Sequence, residues 1–122
     1  MRFACLLVDD NVRFLEVARR TLERQGLAAV STATSIGSAL EVTATDQPEV
    51  VLVDVSLGPE SGFDLVRQLA DRFPHLRGRI IMTSTRSAED YAELMEDTPA
   101  VGFLAKSELS VAAIRALIPD LA

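Results

Sequence analysis

The chain has 122 residues, which suits one domain over residues 1–122, and 48% of them are hydrophobic, which excludes an intrinsically disordered chain. Its 18 acidic and 12 basic side chains give a formal net charge of -6, so we expect no direct contact with nucleic acid. A single cysteine excludes a disulfide framework or a zinc cluster. No apolar segment approaches membrane-spanning length and no signal peptide is recognisable, so we expect a soluble, cytoplasmic protein without a membrane partner.

The first part of the chain alternates short apolar runs with amphipathic stretches. Residues 3–8 are continuously apolar, as in a strand covered on both faces, and include Cys5, whose thiol we expect to be buried and unreactive. Residues 11–25 have the spacing of a helix that buries one face, and Gly26 is a suitable C-cap. Residues 28–33 are more polar and predict a strand at a sheet edge.

The middle of the chain repeats this alternation. Ser35 is predicted to cap a short helix that runs through residue 44. Residues 50–53 predict a second buried strand, and the composition of residues 58–62 predicts a loop. An amphipathic helix is predicted over residues 63–73, followed by a third buried strand over residues 79–83.

The last part of the chain adds one more strand between two helices. A helix is predicted over residues 88–96, with Ser87 as its cap. Residues 101–105 predict the last strand. The final helix is predicted to begin at Ser107 or Ser110.

A strand followed by a helix therefore occurs five times. Parallel strands need crossover connections, and these are right-handed. The predicted fold is α/β, a doubly wound five-stranded parallel sheet with helices on both faces. Ligands of such sheets bind at the carboxyl ends of the strands, which makes the residues at those ends candidates for function.

Polar or charged side chains follow four of the predicted strands at that end. They are Asp9, Asp10, Asp54, Ser84 and Lys106. Three carboxylates so close together would repel one another, and hard oxygen ligands of this kind suit Mg²⁺. Lys106 adds a positive charge and Ser84 a hydroxyl donor, both suited to phosphoryl oxygens, while an aspartate such as Asp54 can act as the nucleophile.

This pattern resembles the receiver domain of two-component response regulators over essentially the whole chain. The resemblance rests on residues 7–11 (LVDDN), 53–57 (VDVSL) with Gly62, 80–84 (IIMTS) and 103–106 (FLAK). Asp54 lies 44 positions after Asp10, and Ser84 lies 30 positions after Asp54. Lys106 lies 22 positions after Ser84. The resemblance implies the (βα)5 flavodoxin-like fold with strand order 2-1-3-4-5.

The resemblance also implies an acceptor and a metal site. Asp54 is implied to be the phosphoacceptor of a phosphorelay. Mg²⁺ is implied to bind Asp9, Asp10, Asp54 and the backbone carbonyl of Ser56, with Asp9 acting largely through water.

Three further residues have roles that the resemblance implies. Ser84 matches the switch hydroxyl, Lys106 the lysine that contacts the phosphoryl group, and Phe103 the aromatic switch. These roles describe a stand-alone phosphoacceptor signalling domain rather than an enzyme, able to catalyse its own phosphorylation and dephosphorylation. The implied donor is a sensor histidine kinase or phosphotransfer protein. A downstream protein is implied to bind the face of helix 4, strand 5 and helix 5, and a homodimer is left open.

The sequence departs from the family at three places. Thr85 stands where the family usually has a small residue, and it extends a run of three hydroxyl side chains from which spacing selects Ser84. Gly58 and Ser107 stand where the family often has proline, with Pro59 displaced by one position. We therefore expect a differently shaped loop after the acceptor.

Other interpretations of the same residues are open at this point. Taken singly, Asp9 and Asp10 could cap a helix, and Lys106 could be a solvated loop residue. The domain could be a binding or scaffold module that does not depend on phosphorylation. A haloacid-dehalogenase-like phosphatase would need a second aspartate two positions after the first, where this chain has Ser56. A flavodoxin or dinucleotide-binding domain would need a phosphate-binding glycine loop after the first strand, where this chain has Asp9 and Asp10.

Overall fold

The fold is that of a computed structural model of the chain, in which residues 3–85 and 92–121 are described, residues 93 and 94 for their backbone alone. The strands are β1 Ala4–Val8, β2 Ala29–Ala33, β3 Val50–Asp54, β4 Ile80–Ser84 and β5 Gly102–Ala105. The helices are α1 Val12–Arg24, α2 Ile36–Asp46, α3 Gly62–Arg72, α4 Ala92–Glu96 in its described part, and α5 Val111–Leu117. The predicted cap at Ser87 lies outside the described residues.

The five strands form one parallel sheet in the order β2-β1-β3-β4-β5. This confirms the predicted doubly wound α/β fold and the order 2-1-3-4-5. β2 lies at one edge, as its polar sequence predicted, and β5 lies at the other. The strands β1 and β3 are central, and their carboxyl ends are therefore adjacent.

Each face of the sheet has its own hydrophobic core. Alternate residues of β3 point to opposite faces, as they must in a strand. Val51 and Val53 pack with α2 and α3, whereas Leu52 packs with Leu7 and Ile81 against α1 and α5. Asp54 lies two residues after Leu52 and so falls on the α1 and α5 face.

Side-chain caps define where several helices begin. Asn11 accepts a hydrogen bond from the Phe14 N–H at 3.1 Å and begins α1. Ser35 forms a capping box with Ser38 at the start of α2. These contacts satisfy amide groups that have no partner within the helix.

Two predictions about loops are corrected by the structure. Part of the predicted loop over residues 58–62 belongs to a short antiparallel ribbon, in which Ser56–Leu57 pairs with Glu60–Ser61, and α3 begins at Gly62 rather than at residue 63. The final helix begins after Ser110, whose hydroxyl accepts from the Ala113 N–H at 2.9 Å. Ser107 lies instead in a single 3₁₀ turn. Within residues 3–85 and 92–121, no helix has the length and apolar character needed to cross a bilayer.

Candidate functional site

The predicted site residues that follow β1, β3 and β5 converge at the carboxyl edge of the sheet. Asp9 follows β1, Asp54 ends the neighbouring strand β3, and Lys106 follows β5. The register places Asp54 beside Thr83 of β4, and the Val55 N–H donates to the Thr83 carbonyl at 2.9 Å. The edge therefore brings together side chains that are 97 positions apart in the sequence, from Asp9 to Lys106.

Three carboxylates form a cluster at this edge. Asp9, Asp10 and Asp54 each offer one oxygen, and these oxygens all lie within 4.8 Å of one another. Asp9 is 1% exposed and Asp54 is 7% exposed, whereas Asp10 faces solvent. The arrangement has one open side toward water and one closed side toward the core.

The two oxygens of Asp9 have different surroundings. Its Oδ1 accepts from the Asn11 N–H at 2.9 Å. Its Oδ2 is fully buried and makes no hydrogen bond of acceptable geometry among the described residues, although the Lys106 ammonium lies 2.5 Å away as an ion pair. A buried carboxylate oxygen with unused acceptor capacity fits a hard cation such as Mg²⁺.

Lys106 neutralises part of this cluster. Its Nζ donates to Asp54 Oδ2 at 3.1 Å and pairs with Asp9, and its side chain is only 13% exposed. Burial lowers the pKa of the ammonium, but the close contacts with the two aspartates and their negative charges outweigh burial and raise that pKa overall. Lys106 is therefore charged at any physiological pH, and it is not the solvated loop lysine of the alternative interpretation.

The Asp54 carboxyl group is under opposing influences. Burial raises its pKa, and so does the nearby charge of Asp9. The hydrogen bond and charge of Lys106 and the Ser56 N–H, which donates to Asp54 Oδ1 at 3.3 Å, lower the pKa but do not cancel the rise. The ionised form of Asp54 is thus less stable here than in water, as suits a carboxylate that gains a cation or loses its charge in a reaction.

The three consecutive hydroxyl residues differ in burial. Thr83 and Ser84 are buried, and Thr85 is exposed. Thr83 shares the face of Asp54, because the two are partners in the register of parallel strands, while strand alternation places Ser84 on the other face with Met82. The strand β4 thus ends in two buried hydroxyl residues, Thr83 and Ser84, whose side chains point to opposite faces of the sheet. The switch role of Ser84 stays a prediction.

Phe103 lies on β5, three residues before Lys106. It is half-buried and packs against the core cluster that contains Met82, its register partner on β4. This places the ring between the interior and the β5 surface, and its role as an aromatic switch stays a prediction.

Gly62 lies against the backbone of Asp54, a contact that neither the predicted loop nor the family resemblance indicated. A Cβ atom added there would overlap the carbonyl oxygen of Asp54 and lie 2.9 Å from its carbonyl carbon. The Gly62 N–H also donates to the Val55 carbonyl at 2.8 Å. Glycine is therefore required where the start of α3 meets the Asp54 backbone, and the position of Gly62 directly before the predicted helix was a weak signal of this in the sequence.

Two further contacts had no signal in the sequence. The Glu60 carboxylate accepts from the Ile36 N–H at 3.0 Å and ties the ribbon after Asp54 to the start of α2. The Phe14 ring on α1 lies under the Lys106 ammonium, with 4.6 Å from Nζ to the ring centroid. Both join segments that are distant in the chain.

A sequence profile of the response regulator receiver domain matches residues 5–118 of the chain. The chain belongs to the response regulator receiver domain family. Receiver domains are signalling domains of two-component systems and bind Mg²⁺ at an acidic pocket. In this receiver domain, Asp9, Asp10 and Asp54 form an acidic cluster whose oxygens are close enough together to hold a metal ion.

Curated relatives of this receiver domain are longer proteins. The heme response regulator HssR of Staphylococcus saprophyticus is 33% identical over 84 residues, which cover 69% of this chain and 36% of HssR. The DNA-binding transcriptional activator EvgA of Escherichia coli is 26% identical over 103 residues, which cover 84% of this chain and 50% of EvgA. The receiver domain thus spans half or less of these two relatives.

Solved structures share the fold. A response regulator from Burkholderia pseudomallei, crystallised with a phosphorylated aspartic acid, calcium ion and citrate, matches with a TM-score of 0.80 at 30% identity, over 94% of this chain and 66% of that one. The chemotaxis protein CheY4 of Vibrio cholerae matches with a TM-score of 0.83 at 22% identity, over 99% of this chain and all of CheY4. At the latter identity the likeness concerns the fold alone.

Proposed function

We propose that Asp54 accepts a phosphoryl group from a sensor histidine kinase or phosphotransfer protein, with Mg²⁺ present, and that the modification switches the conformation of the domain. The observation that carries this proposal is the cluster of three carboxylate oxygens within 4.8 Å, with Lys106 Nζ 3.1 Å from Asp54 Oδ2. We treat residues 1–122 as one receiver domain that works in the cytoplasm.

The residues suited to hold the metal are Asp9, Asp10, Asp54 and the backbone carbonyl of Ser56. The buried Asp9 Oδ2 has acceptor capacity that no described hydrogen bond uses, and Asp10 is open to solvent, as hydrated Mg²⁺ requires. When bound, Mg²⁺ supplies positive charge that offsets the carboxylates and the phosphoryl oxygens.

Phosphoryl transfer to Asp54 requires few protein groups. The bond from phosphorus to the donor's histidine nitrogen breaks as a bond from phosphorus to an Asp54 carboxylate oxygen forms, and the nitrogen keeps the electron pair of the broken bond. Lys106 then faces a phosphoryl oxygen instead of the Asp54 charge. Positioning and charge stabilisation are the main demands of phosphoryl transfer, and a buried ammonium beside the acceptor meets both.

The switch is proposed to run through Ser84 and Phe103. A contact of the Ser84 hydroxyl with the phosphoryl group would exist only in the modified state, and such a differential contact shifts the conformational population. Movement of Ser84 would free space for the half-buried Phe103 to turn inward. The surface of α4, β5 and α5 would then differ between the two states and could be read by a downstream protein, or by a second copy in a homodimer.

A small phosphodonor tests this function directly. Incubation with Mg²⁺ and acetyl phosphate is expected to add the mass of one phosphoryl group to the wild type, and beryllofluoride is expected to shift NMR signals around residues 54, 84 and 103. Asp54→Asn should abolish both responses. The matched control is Asp71→Asn, which removes an exposed carboxylate on α3 and should leave both unchanged.

The same experiment separates the proposal from its main competitor. A folded wild type that gives no mass change and no spectral change with Mg²⁺ would favour a scaffold module that does not depend on phosphorylation. A mass change that persists in Asp54→Asn would place the acceptor elsewhere.

A further inference from the structure

The Lys106 ammonium is enclosed on three sides. Asp9 Oδ2 and Asp54 Oδ2 lie 2.5 and 3.1 Å from Nζ, and the Phe14 ring centroid lies 4.6 Å from it. An ammonium so close to a ring face is attracted by the negative face of the aromatic system. Because the Lys106 side chain is only 13% exposed, water screens this attraction little.

Phe14 is itself held in place by the start of α1. Its N–H donates to the Asn11 side chain at 3.1 Å, and its half-buried ring packs against the core cluster on the α1 and α5 face. The ring therefore presents a fixed surface to the lysine. Lys106 comes from the opposite end of the chain, after β5, and approaches that surface from the sheet edge.

The three neighbours of Nζ differ in what a metal would do to them. The two carboxylates, Asp9 and Asp54, belong to the cluster suited to a divalent cation. A bound cation would interact with both carboxylates and so weaken their attraction for the Lys106 ammonium, and phosphorylation would remove the carboxylate charge of Asp54. The Phe14 ring offers no oxygen to a metal, so its contact with Lys106 does not compete with metal binding.

We propose that Phe14 is a positioning residue, which holds the Lys106 ammonium over the acceptor when the carboxylates are engaged by the metal. This inference rests on the proposed function of Asp54. Without the ring, Lys106 would keep its ion pairs in the metal-free protein but would be less confined in the metal-loaded one. Contact with a phosphoryl oxygen would then require the more mobile Lys106 side chain to become ordered. The entropy cost of this ordering would weaken binding of the phosphoryl group or its mimic.

The first test compares beryllofluoride affinity at saturating Mg²⁺ in wild type, Phe14→Leu and Phe14→Tyr. Leucine keeps an apolar side chain without a ring face, and tyrosine keeps the ring face. Phe14→Leu is expected to weaken beryllofluoride binding by about threefold to thirtyfold, the range that cation–π energies give, while Phe14→Tyr stays within about threefold of wild type. Mg²⁺ affinity without beryllofluoride is expected to change by less than about twofold in both variants. Equal beryllofluoride affinity in Phe14→Leu and wild type would overturn the proposal.

The second test shows whether any effect of Phe14 passes through Lys106. In a double-mutant cycle, Phe14→Leu should lower the urea midpoint of metal-free protein more in the wild-type background than in Lys106→Met. The NMR signals of the Lys106 Cε protons should also lose their ring-current shift in Phe14→Leu. An equal loss in both backgrounds, with unchanged Lys106 signals, would mean that Phe14 acts only by packing.

The two tests also separate this inference from the function on which it rests. A wild type that does not bind beryllofluoride would contradict the proposed function of Asp54. The cycle and the Lys106 signals need neither Mg²⁺ nor a phosphoryl mimic, so they would still decide whether Phe14 positions the ammonium.

Discussion

The acidic pocket is built from two regions of the sheet that differ in burial. Residues Cys5–Val8 of β1 and Val50–Val53 of β3 are at most 2% exposed, and each of these strands pairs with a neighbour on both sides. By contrast, β5 is an edge strand, and all four of its residues are only partly buried. One region is therefore enclosed in the core, and the other is bounded by solvent.

Each region contributes a different kind of group to the pocket. The strand β1 leads into Asp9 and β3 ends at Asp54, and the proposed cation site would need both carboxylates in a fixed geometry. The edge strand carries Phe103 and leads into Lys106, which are the groups proposed to change their contacts after phosphorylation. Local opening costs less free energy where fewer apolar contacts are broken. The difference in burial therefore predicts that groups on β1 and β3 stay fixed, whereas groups on and after β5 can change their contacts.

The largest expected effect comes from filling the space beside Asp54 at the end of the central strand β3. Gly62→Ala would force its Cβ against the Asp54 backbone, and this backbone cannot move aside because β3 is buried and paired on both sides. We therefore expect a loss of about 3 kcal/mol in the free energy of unfolding. Gly102→Ala is the matched change on β5. Its Cβ would lie 2.9 Å from the Leu117 Cδ2 atom, the end of a flexible side chain, so a loss below about 1 kcal/mol is expected.

Urea unfolding of the two alanine variants measures both values. A greater loss for Gly102→Ala than for Gly62→Ala would contradict the comparison, since the edge would then be the less adjustable region. Gly37→Ala provides a reference for the substitution itself, because a Cβ there meets no atom within 4 Å.

The next effect concerns the ammonium that the edge supplies to the centre. Lys106→Met removes the only cation among the described groups that contact Asp9 and Asp54, and we expect a loss of about 2 kcal/mol in the metal-free protein. Saturating Mg²⁺ should restore most of that loss. Arg79→Met is the control, because the Asp120 carboxylate of its ion pair is 75% exposed, so that water screens the pair and should keep its worth under about 1 kcal/mol. Thermal unfolding with and without Mg²⁺ checks this, and a loss that Mg²⁺ leaves unchanged would contradict the role of the carboxylates as cation ligands.

A smaller effect, of opposite sign, is expected at Asp54. Burial and the charge of Asp9 raise the pKa of Asp54 in the folded protein above its unfolded value. The stability that Asp54 contributes is thus fully present below its pKa in the unfolded chain, about 3.9. This stability is lost as the pH rises through the pKa of Asp54 in the folded protein. Asp54→Asn cannot ionise, so it should stabilise the metal-free protein by about 1 kcal/mol at pH 7 and by nothing below about pH 3.5. Asp71→Asn should show no such pH dependence, and a neutral-pH loss in Asp54→Asn would contradict the expectation.

Much of the fold and of the carboxylate cluster was predictable, because both follow from local patterns. Continuous apolar runs marked β1 and β3 as buried strands, and parallel strands bring their carboxyl ends to one edge. Asp9 and Asp54 had to be neighbours once that topology was granted. The weak polar run of β2 likewise identified an edge strand.

The remaining features depend on contacts between distant segments. Composition marked a loop over residues 58–62, but the pairing of Ser56 with Ser61 depends on how that segment closes. Ser107 and Ser110 were equivalent as caps in the sequence, and only the 3₁₀ turn after β5 selects the second. No local pattern could place the Phe14 ring under Lys106, because their contact exists only after the sheet has formed.

The smallest effect to be measured is local opening in the unmodified protein. Cys5 in β1 is 1% exposed, and burial raises the pKa of its thiol to about 12, so a thiol reagent at pH 8 should react only when β1 opens. We expect this labelling to be as slow as global unfolding, whereas the amides of β5 should exchange with deuterium about tenfold faster than those of β1 and β3. If Cys5 labelling showed that β1 opens more often than the amide exchange of β5 shows for the edge strand, the central strands would be the less stable region. The fixed aspartates and the adjustable lysine could then no longer be assigned by burial.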